Sequence, residues 1–170
     1  IVGIRSCAPL ASFLAFYLNL MFDHVVQLNT NNSSELFEQM VRINNEDVII
    51  GISFPRYSMR TLKAMEFANN RNAKVITLTD SVHSPMNLYS SCNLIASSDM
   101  ASIVDSLVAP LSVINALIVA LCMKKRGEVV KTLEELENIW DEYQVYESDE
   151  INYIDDSLKM RYAKLGDEDA

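Results

Sequence analysis

The chain has 170 residues, 49% hydrophobic and 22% charged, which is enough apolar material for a folded core and too little charge for a disordered segment. The net charge of −9 is concentrated at one end: from Glu134 onward there are 13 acidic and 3 basic residues, leaving residues 1–133 with 10 acidic and 11 basic. That balance excludes a broad basic face for gripping nucleic acid.

In chain order, Ile1–Ile4 predicts a short buried strand. Arg5-Ser6-Cys7 then turns into a helix to about Phe22, with Ser6 as its expected N-cap, Pro9 in the first turn, and Leu10, Leu14 and Leu18 on one face. His24–Leu28 reads as a second strand. Asn32-Ser33-Ser34-Glu35 has capping-box spacing and opens a helix to about Ile43. Val48, Ile49 and Ile50 form a β-branched run suited to a fully buried strand. It is followed by Gly51 and a hydroxyl-rich loop, Ser53 to Ser58, that carries one cation, Arg56. From Met59 apolar residues recur at threes and fours to Asn70, with Ser58 as N-cap. A buried strand thus delivers a polar loop to a helix start, where unpaired N–H groups and the helix dipole favour an anion.

Lys74–Leu78 predicts a further strand, Thr79–His83 a loop, and Ser84-Pro85 a helix start. Asn93–Ala96 is a last short strand. Ser102–Met123 holds 18 uncharged residues between Asp105 and Lys124, near the length of a membrane span, but Ser106, Pro110, Ser112 and Asn115 interrupt it. A helix buried all round, partly against another subunit, is expected instead, with Asp105 pairing Ser102 at its start and Gly127 stopping it. Thr132-Leu133-Glu134-Glu135 predicts a new helix to about Tyr143. An acidic, aromatic loop follows, then a short helix over Asp156–Leu165.

Strands alternating with helices imply right-handed crossovers and a parallel sheet covered on both faces. The expected fold is α/β: a three-layer, doubly wound, five-stranded parallel sheet in the flavodoxin-like order 2-1-3-4-5, with extra C-terminal helices. In that order the Arg5–Cys7 and Ser53–Ser58 loops face each other at the carboxyl edge, where such sheets bind ligands. Cys7, Cys92 and Cys122 are odd in number and widely spaced in apolar segments. They predict reduced, buried thiols in the cytoplasm, with neither a disulfide framework nor a metal site. The chain opens inside a strand without an initiator Met and reads as a piece of a longer protein.

IVGIRSCAPLA, DVIIGISFPRYS and VITLTDSVHSPM, at this order and spacing, resemble a sugar isomerase (SIS) domain over about residues 1–125. LEELENIWDEYQVY resembles the tail of SIS domains in the RpiR family of bacterial transcriptional regulators. The resemblance implies a phosphosugar-sensing domain at residues 1–143 and an acidic extension at 144–170. It also implies a homodimer or higher homo-oligomer, no membrane, no cofactor, and contact with DNA only through an N-terminal helix-turn-helix domain absent from this chain. The family's phosphosugar loop usually reads Ser-x-Ser-Gly-x-Thr/Ser. Ser53 and Ser58 match its first and last hydroxyls, while Pro55 and Arg56 stand where the second Ser and the Gly would be. The implied ligand is a phosphorylated sugar or amino sugar, held by Ser6, Ser53, Ser58 and, in the third loop, Ser81 and Ser84, the last of which also reads as a plain helix cap. Arg56, a cation gained where the family has Gly, is expected to replace the missing contact by pairing with the phosphate, the alternative being that it points to solvent.

Aldose–ketose isomerisation needs a positioned base, usually Glu, and often a His to open the ring. No Glu falls in the three site loops. His24 begins a strand away from the site, His83 lies in the third loop, and Asp80 and Asp105 are the nearest acids. The sequence therefore favours a binding domain over a phosphosugar isomerase, the alternative. A phosphorelay receiver shares the strand order but needs an acceptor Asp where Gly51-Ile52-Ser53 stands.

Overall fold

The computed structural model describes residues 1–29, 32–98 and 106–146, and the chain divides into two compact units, 1–126 and 127–170. In the first unit β1 (Val2–Gly3), β2 (Val48–Ile52), β3 (Lys74–Thr79) and β4 (Cys92–Ile95) form a parallel sheet in the order β1-β2-β3-β4. Gly3 pairs with Ile52, Ile52 with Leu78, and Thr79 with Ile95. Between the strands run α1 (Ala8–Asn19), α2 (Ser33–Met40) and α3 (Met59–Asn70), and α4 (Val108–Lys124) follows.

Alternating side chains send the strands' apolar groups to both faces. Val2, Ile49 and Val75 pack with Leu36 and Met40 of α2 and Ala64, Met65 and Ala68 of α3. Gly51 lies on this face, where a Cβ would come within 2.3 Å of the Met65 sulfur. Gly3 faces the other way: a Cβ there would sit 2.5 Å from the Cys7 carbonyl oxygen and 3.0 Å from the Ala11 Cβ of α1. The two glycines let a helix approach each face of the sheet.

Among the described residues the sheet has four strands rather than the expected five. His24–Leu28 contributes a single parallel bridge, Leu28 to Val2, with the Leu28 N–H donating to the Ile1 carbonyl at 2.8 Å. Val26 is 59% exposed, and β1 offers only two residues to pair with, so the segment runs along the edge without becoming a strand. Ser6 is not the cap of α1: Arg5–Cys7 forms a 3-10 turn, and the N-cap of α1 is Cys7, whose side chain makes no capping bond. After Ser84 the expected helix is a 3-10 turn, Pro85–Tyr89. Only two residues separate it from β4, too short a crossover for a full helix.

α2 is capped by Asn32, whose Oδ1 accepts from Ser34 N, and α3 by Ser58, whose Oγ accepts from Thr61 N. α3 ends in a Schellman motif: Asn72 has φ 61, Ala73 N–H donates to Ala68 O, and Asn72 N–H to Asn69 O. α4 buries Pro110, Ile114 and Ile118, but Val108, Val119 and Met123 are exposed, so within one chain the helix is not covered all round. Ser102 and Asp105 lie outside the described residues.

α5 (Arg126–Glu142) corrects the C-terminal expectation, because Gly127 lies inside it and Thr132 is mid-helix. The Thr132 hydroxyl donates back to the Glu128 carbonyl at 3.1 Å, the bond a mid-helix threonine makes, so no capping box forms. α5 also ends in a Schellman motif: Gln144 has φ 50, and Val145 N–H reaches Trp140 O at 3.0 Å. The expected helix over Asp156–Leu165 lies outside the described residues. No single described helix is long and apolar enough to cross a membrane.

Candidate functional site

Because Gly3 and Ile52 are in register, the β1–α1 turn and the β2–α3 loop leave adjacent strands at the same level. They enclose a cleft of about 420 Å³, lined from the first by Ile4, Arg5, Ser6 and Cys7 and from the second by Ser53 to Arg56 and Ser58 to Arg60. Four of the six expected site residues, Ser6, Ser53, Arg56 and Ser58, thus share one cleft.

Ser53 is the best anchored of them. Its side chain is 3% exposed, its N–H donates to the Leu78 carbonyl at 3.1 Å, and its Oγ accepts from the Ser58 N–H at 3.0 Å. The Ser58 Oγ in turn accepts from Thr61 N at 3.4 Å. A hydroxyl that accepts in this way still has its own O–H to donate. Ser53 and Ser58 therefore shape the loop and retain one donor each. Thr61, one turn into α3, is fully buried, and its Oγ1 meets no hydrogen-bond partner.

Arg5 and Arg56 both adopt left-handed backbone, φ 58 and 62, a region that costs a residue with a Cβ about 1–2 kcal/mol. Arg56 stands at the position where the resemblance implies glycine, which is the residue that this backbone favours. Sequence reasoning missed Arg5 and Arg60 as cleft residues. The available signal was position: Arg5 immediately precedes Ser6, and Arg60 lies in the first turn after the Ser58 cap.

Ser81 and Ser84 are not part of this lining. Ser84 is 5% exposed, and its hydroxyl meets Thr79 Oγ1 at 2.8 Å and accepts from Met86 N at 3.3 Å. Ser81 Oγ accepts from His83 N at 3.1 Å, and Asn87 Nδ2 donates to the Ser81 and Val82 carbonyls at 3.0 and 3.1 Å. Both serines hold the third loop in shape. The loop is tied to the cleft by Tyr57, whose hydroxyl donates to Asp80 Oδ1 at 2.9 Å. Burial pushes the Tyr57 pKa above the usual tyrosine value, the Asp80 charge adds to that, and the Ser84 hydroxyl opposes it.

Asp80 and His83, expected near the site, do not line the cleft. Asp80 accepts from Tyr57 and Thr79, His24 and His83 are exposed, and Asp105 lies outside the described residues. Among the described residues the lining includes three arginines, three serines and the first turn of α3, and no Asp, Glu or His. Such a surface stabilises a bound oxyanion and offers no side-chain base among these residues to move a proton from carbon.

A family model of the SIS domain matches residues 1–120. The crystal structure of the sugar isomerase domain of an RpiR transcription factor from Sphaerobacter thermophilus is 26% identical, with TM-score 0.72, covering 77% of this chain and 73% of that one. The Vibrio vulnificus NanR protein complexed with ManNAc-6P shares the fold at 18% identity and TM-score 0.70, covering 83% of this chain and 54% of that one. An uncharacterised HTH-type transcriptional regulator of Caldanaerobacter subterraneus is 32% identical over 98 residues. That match covers 55% of this chain and 35% of the relative, so the chain spans about a third of the curated protein that it resembles.

Proposed function

This chain belongs to the SIS-domain family, and we propose that it is the phosphosugar-sensing effector domain of an RpiR-type transcriptional regulator. The observation that carries this reading is the convergence of Ser6, Ser53, Arg56 and Ser58 on one cleft at the first turn of α3. A phosphoryl group there accepts the Ser53 and Ser58 O–H bonds and pairs with Arg56, and the sugar extends toward Ser6. Each charge-assisted bond of this kind is worth about 1.5–3 kcal/mol. The relatives that are regulators, one of them a complex with a sugar phosphate, support the sensing role.

In this reading the domain covers residues 1–143, residues 144–170 are an acidic extension, and a DNA-binding domain is attached in the full-length protein. The protein works in the cytoplasm as a homodimer, in which the exposed side of α4, with Val108, Val119 and Met123, faces a second copy. The sugar phosphate must prefer one dimer arrangement over another, because a ligand with equal affinity for both transmits nothing. The domain acts by binding rather than by turnover, a reading supported by its likeness to the sugar isomerase domain of an RpiR transcription factor.

The test is a thermal-shift screen against phosphorylated sugars and amino sugars beside their unphosphorylated forms. A ligand that binds the folded state raises the melting temperature by mass action. Shifts confined to phosphorylated compounds, without isomerised product, are expected. Equal shifts for both forms contradict the phosphosugar site, and turnover supports the isomerase alternative.

A further inference from the structure

Of residues 53–60, Tyr57 alone does not line the cleft. It stands between Arg56 and Ser58, and its half-buried side chain packs instead against the apolar core that holds Met65 and Met86. Its hydroxyl donates to Asp80 Oδ1 at 2.9 Å. Asp80 Oδ1 also accepts from Thr79 Oγ1 at 3.1 Å, Thr79 Oγ1 meets Ser84 Oγ at 2.8 Å, and Ser84 Oγ accepts the Met86 N–H at 3.3 Å. Thr79 and Ser84 are 0% and 5% exposed, so water does not compete for the inner bonds of this chain. Hydrogen bonds linked in this way polarise one another and act as a unit. The other end of the chain is the phosphate loop. Arg56 holds left-handed backbone at φ 62 immediately before Tyr57, a conformation that a residue with a Cβ keeps only where its surroundings support it. Immediately after Tyr57, the Ser58 N–H is fixed by Ser53 Oγ at 3.0 Å. The backbone therefore carries any displacement of Tyr57 to both neighbours.

Resting on the phosphosugar reading of this cleft, we propose that Tyr57 is a positioning residue for the phosphate site. Its bond to Asp80 holds Arg56 and Ser58 in the binding arrangement, and the same bond couples occupancy of the cleft to the order of the third loop, residues 79–86. Such coupling is reciprocal: whatever the Asp80 anchor adds to phosphate affinity, bound phosphate adds to the stability of the anchor. Asp80 thereby affects binding without lining the cleft. Ser84 serves the ligand in the same way, as the far member of the network rather than as a contact.

The experiment is calorimetric titration with inorganic phosphate and with hexose 6-phosphates in gluco, manno and galacto configurations. It compares wild type, Tyr57→Phe, Asp80→Ala and the double variant. Tyr57→Phe keeps the ring and its packing and removes only the hydroxyl. Each single variant is expected to bind about five- to tenfold more weakly, and the double variant no more weakly than either, because both remove the same bond. The second readout is hydrogen exchange at the Met86 amide, which donates to Ser84 Oγ. Saturating inorganic phosphate should slow that exchange in wild type and not in Tyr57→Phe, a difference that lost packing alone does not produce. Unchanged affinity in both single variants, or losses that add in the double variant, overturns this inference and leaves the phosphosugar site standing. Slowing at Met86 that persists in Tyr57→Phe does the same. If neither inorganic phosphate nor any hexose phosphate binds the wild-type protein, the phosphosugar reading falls, and the inference falls with it.

Discussion

Arg56 holds left-handed backbone at φ 62 in the middle of the loop that faces the cleft, at a position where glycine relieves strain. Stability and binding therefore pull in opposite directions at this residue. Arg56→Gly removes about 1–2 kcal/mol of backbone strain and costs about 0.5–1 kcal/mol in unfolded-chain entropy. The variant should unfold at equal or slightly higher urea concentration while binding its sugar phosphate several-fold more weakly; lower stability with unchanged affinity would mean that Arg56 is held for packing alone. Ser53 behaves differently. Its buried Oγ accepts the Ser58 N–H at 3.0 Å, so Ser53→Ala strands a backbone donor as well as removing the proposed ligand contact. A stability loss of about 1–3 kcal/mol is expected in urea unfolding together with weaker binding. The sequence suggests only the second effect, since a serine in a polar loop carries no sign of which backbone group it serves.

At the scale of elements, the site depends on how closely α1 and α3 approach the sheet. Gly3→Ala puts a Cβ 2.5 Å from the Cys7 carbonyl, a backbone atom that moves only with the turn carrying Arg5 and Ser6. The expected cost is about 1–3 kcal/mol by denaturant unfolding, with weaker ligand binding. A variant of native stability and affinity would show that the turn tolerates displacement. The central elements were legible because their signals are local. The Val48–Ile50 run marks β2, Ser58 caps α3, and α3 ends at Asn70 as its periodicity implies. His24–Leu28 has the composition of a strand but not the neighbour to pair with, since β1 is only two residues long. That is a tertiary fact the segment does not encode. Thr132 misled for a related reason: the hydroxyl that suits a cap also bonds back inside a helix, and the local pattern does not distinguish the two. The cleft was half legible. Its hydroxyls stood out in the loop pattern, whereas Arg5 becomes a site residue only through the register of β1 with β2.

At the scale of the whole molecule, a sensor needs both a ligand site and an element that reports its occupancy. α4 supplies a candidate for the second, since Val108, Val119 and Met123 are 74%, 56% and 64% exposed on a helix that otherwise packs on α1. Pairing of two copies through this face would bury that surface. Sedimentation of the protein should give a dimer, and Val119→Glu should shift it toward monomer; a wild-type monomer at high concentration contradicts the interface. The central claim concerns the cleft itself, and amide chemical-shift mapping reaches it most directly. On titration of the labelled protein with its best-binding sugar phosphate, the largest shifts are predicted in residues 5–7 and 53–60, with inorganic phosphate reproducing the second group alone. Shifts clustered elsewhere on the fold, or the same shifts from the unphosphorylated sugar, would contradict the account.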